Sequence, residues 1–262
     1  MTAPRDYSTI SPSARQLLLV KAQTSLPFAR QAAELVFGSE AVEVAARDAA
    51  GNPGAGPRRR HFELRARSID QLLGELAATR VLELASGLSF RGLAMAARAG
   101  VHYLDTDLPA LAELKAGLVA QLHPAPLAGT LRVQALDALD PTAVAAAVRS
   151  LPPGPVAIVH EGLLMYLDDA EKARLAANLR AALVERGGHW VTADIYVRSE
   201  RHLFREDHAK RFLEDHEVEE RKFADWSAAE AFFTDQGFAI ERRLAPSDDP
   251  LRVRETWAMI VR

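Results

Sequence analysis

The feature that most constrains this chain is an alternation, between residues 68 and 194, of short apolar runs with segments of helical periodicity. Ile69, Leu72, Leu73 and Leu76 recur at helical spacing, and residues 80–85 then read as a short buried strand. A turn through Ser86, Gly87, Leu88 and Ser89 leads into a helix expected to end near Gly100, where glycine suits a left-handed cap. Residues 101–105, 131–136, 156–160 and 189–194 supply further strands, with helices expected over 142–151 and 168–185. Strands separated by helices pair in parallel, since the crossover carries the chain back over one face, and such a sheet is covered on both sides. Residues 238–244 and 255–261 are joined by too few residues for a crossover and are expected to form an antiparallel hairpin. The fold class is therefore α/β: a Rossmann-like, mostly parallel seven-stranded sheet with helices on both faces and an antiparallel C-terminal hairpin.

A chain of 262 residues, 48% hydrophobic and 26% charged, can bury one substantial core, so a single domain over 1–262 is the expectation. Within it, 1–60 reads as a helical lid, 61–197 as the core, 198–224 as a charged insertion and 225–262 as a last helix and hairpin. Ser11 followed by Pro12 starts a helix that runs to about Val20. Residues 48–60 combine glycine, proline and then Arg58, Arg59 and Arg60, which reads as a surface loop. The insertion is dense in both charge signs and reads either as a solvated helix or as a lid. A net charge of -3 gives no basic field for nucleic acid. With no cysteine, thiolate chemistry is excluded. No leader pattern and no apolar run of membrane-spanning length are present, so a cytoplasmic protein without a membrane partner is expected.

In sheets of this kind ligands lie beyond the carboxyl ends of the strands. That rim carries Glu83, Gly87, Asp107 with Leu108, Asp137 with Ala138, and Glu161 with Gly162. Gly87 and Asp107 stand at roughly the twenty-residue gap between a nucleotide-binding glycine and an acid that holds ribose hydroxyls. Only one glycine occupies the turn, however, so the pyrophosphate cradle of a dinucleotide is missing. S-adenosylmethionine, which has a ribose and adenine but no phosphate, fits an acidic rim of this kind better than a nicotinamide cofactor does. A nicotinamide-dependent oxidoreductase and a non-catalytic cofactor-binding relative stay open as alternatives, and Glu83 can also be read as a buried structural carboxylate. No compact set of metal ligands stands at recognisable spacing, so a metal-free mechanism is expected.

Four segments taken together resemble the leucine carboxyl methyltransferase family and related bacterial O-methyltransferases of polyketide biosynthesis. They are residues 65–70 (RARSID), 82–89 (LELASGLS), 103–109 (YLDTDLP) and 160–167 (HEGLLMYL). The resemblance implies a class I methyltransferase that moves a methyl group from S-adenosylmethionine to a carboxylate or hydroxyl of a small molecule or peptide. It assigns Arg65 to the cofactor's carboxylate, Gly87 to the ground beneath its amino-acid portion and Asp107 to the ribose. It assigns Asp137 and Ala138 to the adenine edge and Glu161 to the amino group. Arg15 falls where the eukaryotic members have a lysine, and Pro27 with Phe28 matches a proline–aromatic pair of the family. For an alcohol or phenol acceptor a proton acceptor is needed, and His160, Tyr166, His202 and His208 are the candidates.

Overall fold

The computed structural model describes residues 11–123, 125–198, 218–245 and 254–262. Seven strands, β1 (Arg80–Leu84), β2 (His102–Asp107), β3 (Thr130–Ala135), β4 (Val156–His160), β5 (Gly188–Tyr196), β6 (Phe238–Leu244) and β7 (Arg254–Val261), form one sheet in the order β3-β2-β1-β4-β5-β7-β6. The first five pair in parallel, while β7 runs antiparallel between β5 and β6. The order reverses at β1, which β2 flanks on one side and β4 on the other, and that places a crevice at their carboxyl ends.

The two-residue period of the strands sorts their side chains onto two faces. Leu82, Leu104, Ile158 and Trp190 face helices α7 (Pro141–Arg149) and α8 (Asp169–Arg186), with Phe233 and Phe238 at 5.0 Å from the Trp190 ring. Val81, Tyr103, Val159, Val191 and Ala258 face α4 (Ala55–Glu75), which packs through Ile69, Leu72 and Leu73. A β-bulge between Thr192 and Ile195 interrupts this alternation: Ile195 joins the Trp190 face, which turns Tyr196 toward α4. A third cluster joins α1 (Ser11–Lys21), α2 (Ala29–Phe37) and α3 (Ser39–Ala50) to the turn after β1 and to α6 (Pro109–Leu122), through Leu18, Val42, Leu88, Phe90, Leu93 and Leu111.

Helix ends follow local chemistry. Asp168 caps α8 in a reciprocal capping box with Glu171, and Gly187 ends it at φ 68°. Asp140 caps α7, accepting from the amides of Thr142 and Ala143.

Three expectations change. Residues 48–60 are largely helical: α3 runs to Ala50 and α4 begins at Ala55, so the arginine triplet lies in the first turns of α4 and the boundary drawn at 60 falls inside that helix. Gly51, Pro53 and Gly54 make only a short turn, and Gly56 and Pro57 fall in the first turn of α4, because the following residues find an apolar face to bury. The helix expected to reach Gly100 is only α5 (Arg91–Met95), although Gly100 does take a left-handed φ of 79°. β5 continues past Asp194 to Tyr196. Most of the charged insertion lies outside the described residues, which resume with the short helix α9 (Val218–Arg221) and then α10 (Trp226–Asp235).

Candidate active site

The rim is assembled from the turn after β1 and from the ends of β2, β4 and β5. At the turn, Ala85 and Gly87 both take left-handed φ values, 47° and 54°. The Ser86 amide donates to the Thr106 carbonyl at 3.0 Å, tying the turn to β2. Both Asp107 oxygens accept one backbone amide, from Gly87 and from Leu108, each at 2.7 Å. The twenty-residue spacing read in the sequence is thus a direct contact. Burial pushes the Asp107 carboxyl above its ordinary value, with the two amides pulling against it. Below, Lys115 of α6 donates to Asp105 at 2.6 Å and to Ser86 at 2.9 Å, so a buried ammonium holds strand and turn together.

Glu161, the residue after β4, sits in a buried network of charges. Its Oε1 accepts from Lys21 Nζ of α1 at 2.8 Å and from Arg65 Nε of α4 at 3.2 Å, and its Oε2 accepts from Arg91 Nη2 of α5 at 3.0 Å. Burial works against its charge, but the three cations hold it well below the usual carboxylate range. Lys21 is the weakest of the three: burial, aided by repulsion from Arg65 and Arg91, brings its pKa down despite Glu161. For Arg65, burial opposes the charge, while Tyr196, Glu161 and Asp194 together raise its pKa. Gly162, at φ 82°, allows this approach, since a Cβ there would lie 3.4 Å from Arg65 Nη2.

Two residues expected at the rim serve beneath it. Glu83 is fully buried: one oxygen pairs with Arg91 and the other accepts from Tyr103 OH at 2.6 Å. It therefore braces Arg91, which also reaches Asp70 at 2.6 Å, and its complete burial one layer beneath the rim keeps it from a ligand's hydroxyls, which corrects its assignment to the cofactor. His160 is also fully buried. Trp190 Nε1 donates to its Nε2 at 2.8 Å, so its Nδ1 carries the proton and donates to Asp194 at 2.9 Å. With both nitrogens committed it is no proton acceptor, which corrects that candidacy. Asp194 in turn accepts from the amides of Gly162, Leu163 and Leu164 and so shapes the loop after β4.

The other expected residues divide. Asp137 is exposed at the end of β3, with Oδ1 on the Leu139 amide at 2.9 Å, and Ala138 is buried beside it. Arg15 is exposed on α1. Tyr166 ends a 3-10 helix (Leu164–Tyr166), hydrogen-bonds Ser13 of α1 and gives its carbonyl to Arg221. His202 and His208 lie outside the described residues. Sequence reasoning missed Lys21, Arg91, Asp194, Tyr196 and His61. Arg91 stood two residues beyond a segment already singled out, and the others carry no local signal.

The donor and acceptor set fits S-adenosylmethionine. Asp107 has lone pairs left for two ribose hydroxyls. The Gly87 turn is open, since a Cβ there would meet only Ala14 Cβ at 3.8 Å. Glu161 and Arg65 set an acid and a base side by side, as a zwitterionic amino acid requires. A seven-stranded sheet of this order with such a rim defines the class I S-adenosylmethionine-dependent methyltransferases. Within that class the chain belongs to the leucine carboxyl methyltransferase family, whose sequence profile matches residues 11–180. Similar folds include a DUF574 family protein from Streptomyces avermitilis, at 15% identity over 95% of this chain and 97% of that one, with a TM-score of 0.58. Magnesium protoporphyrin IX methyltransferase from Synechocystis, solved with S-adenosylmethionine, is 12% identical over all of both chains, with a TM-score of 0.52. The pyocyanin biosynthetic protein PhzM is 14% identical over 98% of this chain and 74% of that one, with a TM-score of 0.50. No curated protein sequence matches the chain. Among the described residues no group of three or more acids and histidines is placed to hold a metal, and no helix is long and apolar enough to cross a membrane.

Proposed function

We propose that this methyltransferase acts on oxygen, methylating a hydroxyl or carboxylate of a small molecule or peptide. The pairing of a single-glycine turn and Asp107 with the Glu161–Arg65 pair supports the cofactor half of the reading, and membership of the leucine carboxyl methyltransferase family supports an oxygen acceptor. When bound, S-adenosylmethionine supplies a methyl group on a positively charged sulfur. The protein's part is to align that carbon with the acceptor and keep water away. In this reading Asp107 holds the ribose, Asp137 and Ala138 read the adenine edge, and Arg65 and Glu161 orient the amino-acid end, with Leu108 and Gly162 lining the approach. Arg15 is proposed to reach the cofactor carboxylate from α1. Calorimetry tests the reading: S-adenosylmethionine and its demethylated product bind and NAD does not, whereas the reverse preference would sink it.

The front helices are proposed to cover the crevice. Two contacts support this: Lys21 on Glu161 and Ser13 on Tyr166. Removing residues 1–21 is expected to abolish cofactor affinity and turnover while lowering the melting temperature far less than a core truncation does. Retention of both would make these helices padding.

A further inference from the structure

Beyond the cofactor cluster, the α4 face of the sheet carries a second buried polar group. We propose that Tyr196 is the catalytic residue that receives the acceptor's proton, passing its own to His61, and that the acceptor is accordingly a hydroxyl rather than a carboxylate. This rests on the O-methyltransferase reading and deepens it.

Tyr196 OH and His61 Nε2 lie 2.7 Å apart, and the two residues are 4% and 1% exposed. The β-bulge between Thr192 and Ile195 is what aims Tyr196 this way. In unbroken alternation residue 196 would share the Trp190 face, in the apolar core. Bulges that re-aim one side chain beside an active site are a recurrent device. Arg65 joins the pair to the cofactor cluster, with Nε on Glu161 at 3.2 Å and Nη1 on Tyr196 OH at 3.5 Å. The phenol thus stands one guanidinium away from the acid of the rim.

Burial raises the Tyr196 pKa above its ordinary value and Asp194 from β5 adds to it, while Arg65 from α4 and Arg254 from β7 pull the other way, so the phenol is neutral at rest and serves as a relay between acceptor and imidazole. Lys222 lies 5.9 Å over the ring, and Glu161 stands beyond Arg65. In the reaction the acceptor oxygen forms a bond to the methyl carbon as the carbon–sulfur bond breaks, leaving a neutral sulfide. The acceptor's proton moves to Tyr196 oxygen and the phenolic proton moves to His61 Nε2, so the positive charge lost from sulfur reappears on the imidazole. A carboxylate acceptor would arrive ionised and would leave this pair without a task.

The test uses the full chain, methyl-labelled S-adenosylmethionine and a small-molecule extract of the cell that makes the protein. Label is expected in a methyl ether that survives mild alkali. Tyr196→Phe, which removes a single oxygen, and His61→Gln are expected to slow transfer by about 100-fold. Both are expected to keep cofactor affinity and melting temperature near wild type, and to flatten the acid limb of the pH–rate profile. Nitrogen NMR of the cofactor-free protein gives a readout independent of turnover: His61 Nε2 is expected unprotonated, as a proton receiver must be. Label in an ester released as methanol by alkali, no label in any extract component, variant rates within about threefold of wild type, or a protonated Nε2 would each overturn the assignment. Failure to bind S-adenosylmethionine is a separate result, which removes the methyltransferase reading and this assignment with it. If His61→Gln does not fold, the Tyr196→Phe rate and the NMR result decide.

Discussion

Two buried carboxylates stand at the ends of neighbouring strands, and they are held in opposite ways. Asp194 of β5 is fixed by three backbone amides and an imidazole, all from the loop and strand beside it. Glu161, after β4, is held by three cationic side chains from three different helices. Burial opposes ionisation of both, and in both the partners win, His160 first for Asp194 and Lys21 first for Glu161. Backbone amides cannot move without unfolding the loop, whereas long cationic side chains can exchange partners. Asp194 is therefore architecture, and Glu161 is a place where a ligand's ammonium can join or replace a protein cation.

The sharpest way to break this contrast is Asp194→Ala, which strands three amides and an imidazole. Urea unfolding is expected to show a loss of about 3–5 kcal/mol, and a loss below about 1 kcal/mol would erase the distinction. Glu161→Gln is expected to cost less, about 1–3 kcal/mol, because Arg91 keeps Glu83 and Asp70 and Arg65 keeps Tyr196. The same variant is expected to lose S-adenosylmethionine binding in calorimetry. It also carries a pH signature. Since the folded pKa of Glu161 is depressed, its contribution is present above the ordinary carboxylate value and is lost as pH falls toward the folded one. The Gln variant lacks that part of the acid limb, and an unchanged pH dependence of stability would refute the sign.

Asp107→Ala tests the far side of the crevice. Cofactor affinity is expected to fall by about 1–3 kcal/mol, as the ribose hydroxyls lose a charged acceptor. The raised pKa of Asp107 adds that affinity in the wild type declines on acidification before an ordinary aspartate would protonate. Equal dissociation constants for wild type and variant would take Asp107 out of the site. Lys21→Met is expected to have the smallest effect on stability, within about 1 kcal/mol, because Arg65 and Arg91 remain on Glu161 and an ammonium already depressed by burial is removed. A loss as large as that of Glu161→Gln would show that the three cations are not interchangeable.

The strands were legible in the sequence because their signal is local: β4 stands where its apolar run placed it, and β6 too. The Gly87–Asp107 contact was legible because it recurs at a fixed spacing. Lys21 and Glu161 are 140 residues apart, and nothing in either neighbourhood marks a lysine near a helix end as an internal ion-pair partner. Tyr196 was missed for a different reason. Its face is set by a bulge, which leaves no trace in a two-residue periodicity read forward from His189. Glu83 was misplaced because a rim acid and a brace one layer lower occupy the same kind of position, and only the side chain of Arg91 separates them.

The antiparallel strand β7 lies inside the sheet, although it is the last strand in the chain order. During synthesis β1 to β5 emerge first and can assemble the whole crevice, but β6 then has no partner until β7 arrives to join it to β5. A ribosome-bound chain at that stage carries an exposed β5 edge with Val191 and Ala193 on it, which is the kind of template that neighbouring nascent chains pair with. Until β7 closes that edge it stays open to such pairing, and coexpressed chaperones are expected to raise the folded yield by shielding it.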